Sequence, residues 1–99
     1  MTRRVVDLHP EAILEGREAR LWYAARSAQA AERFRRELRR SIRSIKEAPE
    51  RWPPDEDGLR RVRLIGFPYS LIYWTDGIDS FVLSIAHAKR KPGFWKTRL

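Results

Sequence analysis

The sequence predicts an α+β domain in the order β-α-α-β-β-β, a helical hairpin packed on a mainly antiparallel sheet, with residues 1–99 forming one domain. Three observations carry this. Ala31, Phe34, Leu38, Ile42 and Ile45 keep strict helical spacing ahead of Pro49, so a long amphipathic helix ends there. A second apolar run, Phe67–Trp74, and a third, Phe81–His87, rich in aromatic and β-branched residues, flank Asp76-Gly77 and read as an antiparallel hairpin. Finally, Ala12, Gly16, Ala19 and Tyr23 recur on one face of an earlier helix, and the short link at Arg26-Ser27 forces the two helices to fold back on each other.

Taken in order, Val5, Val6 and Leu8 form a short first strand that stops at His9-Pro10, because proline disfavours helical geometry in the residue before it. Pro10 suits the first helical position, and Glu11 and Glu15 favour the positive end of the helix dipole. Leu21 and Trp22 are expected to widen the small-residue face, with Trp22 and Tyr23 in the core. Ser27 is the expected N-cap of the second helix, which runs to about Ala48. On that helix Arg36, Arg39, Arg40 and Arg43 share the outward side, and Glu32 to Arg36 is the expected i, i+4 ion pair. Pro49 to Pro54 is a rigid connection, followed by a loop through Asp55-Glu56-Asp57 and Gly58. Arg61 and Arg63 then fall on one face of a strand and Val62 and Leu64 on the other. Beyond the last strand comes an arm with Lys89, Arg90 and Lys91 ahead of Pro92-Gly93-Phe94-Trp95.

The formal net charge is +8, unevenly placed: eleven basic against five acidic residues from 17 to 51, and five basic with no acidic residue from 87 to 99. Such a field steers polyanions, so nucleic acid or an acidic protein is the implied partner. No cysteine is present, which excludes disulfides and thiolate metal sites and suits a reducing cytoplasm. No membrane span or export signal is readable, so a soluble cytoplasmic protein is expected, with no cofactor and no metal.

No phosphate loop, nucleophile elbow or metalloprotease motif occurs. His87, followed by Lys89, Arg90 and Lys91, is the one residue placed for proton transfer near a polyanion, though a hydrogen-bonded structural histidine is the preferred reading. Phe94 and Trp95 among cations could stack on bases, fill a partner's pocket, or fold back over the sheet.

One family shares this arrangement. His9-Pro10-Glu11-Ala12, Trp22-Tyr23, Ala31-Glu32-Arg33-Phe34, Pro49, Trp52-Pro53, Phe67-Pro68-Tyr69, then His87, Arg90, Pro92 and Trp95, in this order, resemble the RelE/ParE toxins of type II toxin-antitoxin systems. The resemblance implies a small bacterial toxin, held inactive in a hetero-oligomer with a cognate antitoxin whose acidic segment wraps the helices and sheet. RelE-like members are ribosome-dependent mRNA endonucleases; ParE-like members poison DNA gyrase. Arg61, Arg63, Arg90 and His87 could stand for a nuclease's catalytic set. However, the RelE arginine of the middle hairpin strand is Ser70 here, and Phe94 and Trp95 occupy the tail where a tyrosine is expected. The ParE-like branch therefore fits better, with ribosomal mRNA cleavage or a non-toxic nucleic-acid-binding module as the alternatives. Under that reading Lys89, Arg90, Lys91 and Trp95 meet the target, while Arg36, Arg40 and Arg43 pair the antitoxin's carboxylates.

Overall fold

The computed structural model describes residues 3–99. Strand β1 (Val6–Leu8) leads into helices α1 (Pro10–Ala24) and α2 (Ala28–Glu47). Strands β2 (Arg60–Arg63), β3 (Tyr69–Thr75) and β4 (Ser80–His87) follow, and a 3₁₀ turn at Phe94–Arg98 ends the chain. The sheet order is β1-β4-β3-β2, with β1 parallel to β4 and both other pairs antiparallel. The predicted element order and fold class thus hold.

Local chemistry explains the boundaries. Pro10 opens α1, and the His9 Nδ1 accepts the Glu11 N–H at 3.0 Å, satisfying a donor that the first turn leaves orphaned. Ser27 caps α2 as predicted, accepting from the Ala30 N–H at 3.1 Å. The β3–β4 turn is longer than a two-residue hairpin: Asp76 Oδ1 accepts from both Ile78 and Asp79 N–H, with Gly77 at φ 98°. Asp79 in turn accepts the Val5 N–H at 2.9 Å, which pins β1 against the start of β4. The second apolar run enters the sheet only at Tyr69, since Gly66 at φ 84° turns the chain before it.

Both faces of the sheet are covered. Toward the helices, Phe34, Ile45, Val62, Leu71, Tyr73, Val82 and Ile85 pack with Ala12 and Ala19. Gly16 is the point of closest approach, because a Cβ there would lie 2.9 Å from Ile85 Cδ1. The aromatic rings of Tyr23, Phe34, Phe67 and Tyr69 meet at centroid distances between 5.1 and 5.4 Å, each such pair adding about 0.5–1.5 kcal/mol beyond area burial. On the opposite face a smaller cluster joins Leu59, Ile72, Leu83, Ala86 and Trp95. The rigid connection after α2 is fastened at its first residue, where the buried Tyr73 hydroxyl donates to the Pro49 carbonyl at 2.5 Å.

Two expectations are corrected. Leu21 and Trp22 do not widen the buried face of α1; each is 53% exposed. At 100° per residue Leu21 stands opposite Ala12, and Trp22 lies on a flank where the Arg26 guanidinium stacks 3.6 Å above its ring. Glu32 pairs with Arg35 rather than Arg36, because the i, i+3 geometry permits a two-point contact at 2.6 and 3.1 Å.

Candidate functional site

The arm after β4 is held from its first residue. The Lys89 N–H donates to His87 Nδ1 at 3.0 Å, Arg90 N–H to the His87 carbonyl at 3.0 Å, and Ala88 N–H to the Pro68 carbonyl at 2.8 Å. Lys89, Arg90 and Lys91 project into solvent from this turn. Gly93, at φ 85°, then reverses the chain so that the 3₁₀ turn lies on the sheet face remote from the helices. Trp95 is only 7% exposed there, and its Nε1 has no hydrogen-bond partner. Of the three arrangements expected for Trp95, the structure shows the cover over the sheet. Arg90 lies 3.7 Å over the Phe94 ring, and Lys96 reaches Asp57 at 3.1 Å, tying the tail to the acidic loop.

A pair that sequence reasoning missed closes the remaining edge. Strand β1 reaches only as far as Val82, so β4 continues beyond it without a strand neighbour on that side. Glu15 takes the place of one: its Oε1 accepts the Ile85 N–H at 3.1 Å and the Ser84 hydroxyl at 2.9 Å. Arg98 completes the closure, donating to the Leu83 carbonyl at 2.9 Å and to both Glu15 oxygens at 2.8 and 3.1 Å. These residues are 83 positions apart. No local spacing could have paired them.

The four residues of the nuclease alternative do not converge. His87 is the cross-strand partner of Tyr69 at a centroid distance of 4.9 Å, and Tyr69 touches Phe34 of α2, so the imidazole lies on the helix side. Arg61 lies 5.6 Å from the Trp95 ring on the opposite side, and Arg63, two residues on, shares that face. Arg90 sits at the rim, 3.9 Å from Glu15. A phosphate held by Arg61 and Arg63 would be separated from His87 by the sheet itself. His87 Nδ1 accepts the Lys89 N–H, so only Nε2 is left for a further partner. It lines an open cleft of ≈ 420 Å³ with Glu15, Glu18, Trp22, Tyr69 and Arg90. Burial, foremost, raises the Tyr69 phenol above its ordinary range, so this ring is not a thiol- or carboxylate-like base near neutrality.

Helix α2 presents Arg36, Arg40 and Arg43 outward, as predicted. They are not equivalent. Arg40 holds Glu37 at 2.8 and 2.7 Å, and that carboxylate also accepts the Ile65 N–H at 2.7 Å, fixing the β2–β3 loop to the helix. The Arg40 hydrogen bond, chiefly, keeps the Glu37 carboxyl below the usual range. Arg36 and Arg43 have no ion-pair partner among the described residues. On α1, by contrast, large apolar side chains are exposed, namely Ile13, Leu14, Leu21 and Trp22, interspersed with the exposed charges of Glu11, Arg17, Glu18 and Arg20.

A family model described as the ParE toxin of the type II toxin-antitoxin system parDE matches residues 6–92. The chain belongs to the ParE toxin family. Among solved structures, it is similar to a chain of a chromosomal ParDE toxin-antitoxin system from P. aeruginosa, with a TM-score of 0.73 and 13% sequence identity. That likeness covers 87% of this chain and 97% of the other, and it is one of fold. No curated protein sequence gives a significant match. The ParE model takes in the open cations Lys89, Arg90 and Lys91 but stops before Trp95 and Arg98. The segment that closes the second face and the β4 edge of this ParE-family chain thus lies beyond the matched span.

Proposed function

We propose that this chain acts as the toxin of a type II toxin-antitoxin module, arresting growth by poisoning DNA gyrase through binding, and that a cognate antitoxin neutralises it. The observation that carries the choice of mechanism is the division of His87 from Arg61 and Arg63 by the sheet. Cleavage of RNA at its 2′-hydroxyl needs proton transfer and phosphate stabilisation at one point in space. Binding needs neither. Target contact is assigned to Lys89, Arg90 and Lys91, whose origin is fixed by the β4 end and whose side chains are exposed, Arg90 while resting on Phe94. Trp95 supports them from beneath by holding the tail on the sheet.

The antitoxin is assigned to α1. Leu14 and Leu21 stand outward with Ile13 and Trp22 on the flanks, and Arg17 and Arg20 lie among them. An amphipathic helix whose margins carry both signs, acidic toward Arg17 and Arg20 and basic toward Glu11 and Glu18, matches that surface in apolar and charged chemistry. Purified protein tested in parallel on gyrase supercoiling and on ribosomes carrying mRNA decides the reading. Inhibited supercoiling with intact mRNA is the expected result. Codon-specific cleavage with unimpaired supercoiling would instead select the ribosome-dependent nuclease.

A further inference from the structure

We infer that the outward face of α2 is a binding surface for the phosphate backbone of a nucleic-acid duplex. Arg33, Arg36, Arg39, Arg40, Arg43 and Lys46 are all exposed along it. The thirteen residue steps from Arg33 to Lys46 rise about 20 Å at 1.5 Å per residue. Over that length a duplex carries roughly 12 phosphates, one per about 1.7 Å of axis. Five of the six cations, all but Arg40, lack an ion-pair partner among the described residues, so their charge is available to an incoming polyanion.

The helix end would ordinarily oppose such a ligand, because the last carbonyls carry partial negative charge. Here Arg4 reaches across from the N-terminal segment and donates to the Lys46 and Glu47 carbonyls. Arg4 thus offsets those carbonyls, and with Arg43 and Lys46 it outnumbers the one exposed carboxylate there, Glu47. At its other flank the Glu37 bridge to Arg40 and the Ile65 N–H holds the β2–β3 loop in place, leaving a groove of ≈ 320 Å³ beside Arg33 and Arg36.

What separates a duplex from an acidic protein is how little apolar surface the face offers. No large hydrophobic side chain is exposed on α2; the exposed ones of the hairpin are on α1, and Ile65 on the loop is the single such neighbour in the groove. Protein interfaces deplete charge at their centres and anchor on buried apolar or aromatic groups, whereas nucleic-acid interfaces are polar and strongly positive. The face has the second composition. Arg36, Arg40 and Arg43 are on this account part of a phosphate surface rather than the antitoxin site expected from the sequence.

The test is fluorescence anisotropy of a labelled DNA duplex of about 20 base pairs, titrated with the full chain between about 50 and 200 mM salt. With five contacts, log K should fall against log salt with a slope of about −4 to −5, roughly a 500-fold loss across that range. The Arg36→Ala/Arg39→Ala/Arg43→Ala variant should lower the slope's magnitude by about 2 to 3 while melting like the parent, and the corresponding lysine variant should retain it. The proposal is overturned if the alanine variant keeps the parental slope, or if the slope is lost in Lys89→Ala/Arg90→Ala/Lys91→Ala instead. It is also overturned if an oligoglutamate of equal charge binds α2 more tightly than the duplex does. Because the assay contains no gyrase, its outcome is separate from that of the target reading.

Discussion

Trp95 illustrates how one side chain can change meaning between sequence and structure. Among cations in a tail it reads as an anchor for a partner, yet it lies with Leu59, Ile72, Leu83 and Ala86 on the second sheet face. Replacing it with alanine is expected to cost about 3–5 kcal/mol, as for other buried aromatic truncations, measured by chemical denaturation. A loss below about 0.5 kcal/mol would mark a surface residue and contradict the packing. Tyr73 gives a second residue-scale prediction. Burial, the main cause, pushes its phenol from 10.0 up to about 12. The folded state thus holds this proton more tightly than the unfolded chain does, so the contribution is fully present below about pH 10 and is lost as pH rises toward 12. Tyr73→Phe should remove that part of the alkaline sensitivity and, by orphaning the Pro49 carbonyl, cost about 1–3 kcal/mol at neutral pH. If the alkaline limbs of the two proteins coincide, Tyr73 is not the group that titrates.

At the scale of elements, α1 and α2 divide the surface chemistry between them. Helix α1 buries only small residues and Tyr23, so its larger apolar side chains are left outside. Helix α2 buries Phe34 and Ile45 and turns its arginines outward. Substituting Leu14→Glu and Leu21→Glu together should leave the melting temperature within a degree or two of the parent, since neither side chain is packed. Antitoxin affinity measured by calorimetry should fall by at least about tenfold, the 1.4 kcal/mol expected from losing apolar anchors and opposing acidic margins. An unchanged affinity would remove the antitoxin from α1. The same division shows which features were legible. The spacing of Ala31, Phe34, Leu38, Ile42 and Ile45 identified α2 because one stripe of large apolar residues has a helical period. For α1 the period was readable in Ala12, Gly16 and Ala19, but Leu21 and Trp22 were misplaced because apolar residues occur on both of its sides.

For the molecule as a whole, the order of elements and the antiparallel hairpin were readable because turns, caps and periodicity act locally. The parallel pairing of β1 with β4, the Glu15–Arg98 closure of the β4 edge, and the side of the sheet on which each cation falls depend on contacts across the chain. Those contacts set which side chains can act together. A sheet covered on both faces leaves no common chamber for His87, Arg61 and Arg63, and the exposed charged and apolar groups fall into separate patches. The account accordingly rests on inhibition by occupancy rather than by bond cleavage. Its most direct test is gyrase supercoiling in the presence of purified wild-type, His87→Ala and Lys89→Ala/Arg90→Ala/Lys91→Ala proteins. The account predicts that wild type and His87→Ala inhibit equally while the triple variant, still folded, loses at least about tenfold in potency, the loss of roughly 1.4 kcal/mol of contact energy. Full inhibition by the triple variant, or abolition by His87→Ala alone in a protein that melts normally, would contradict it.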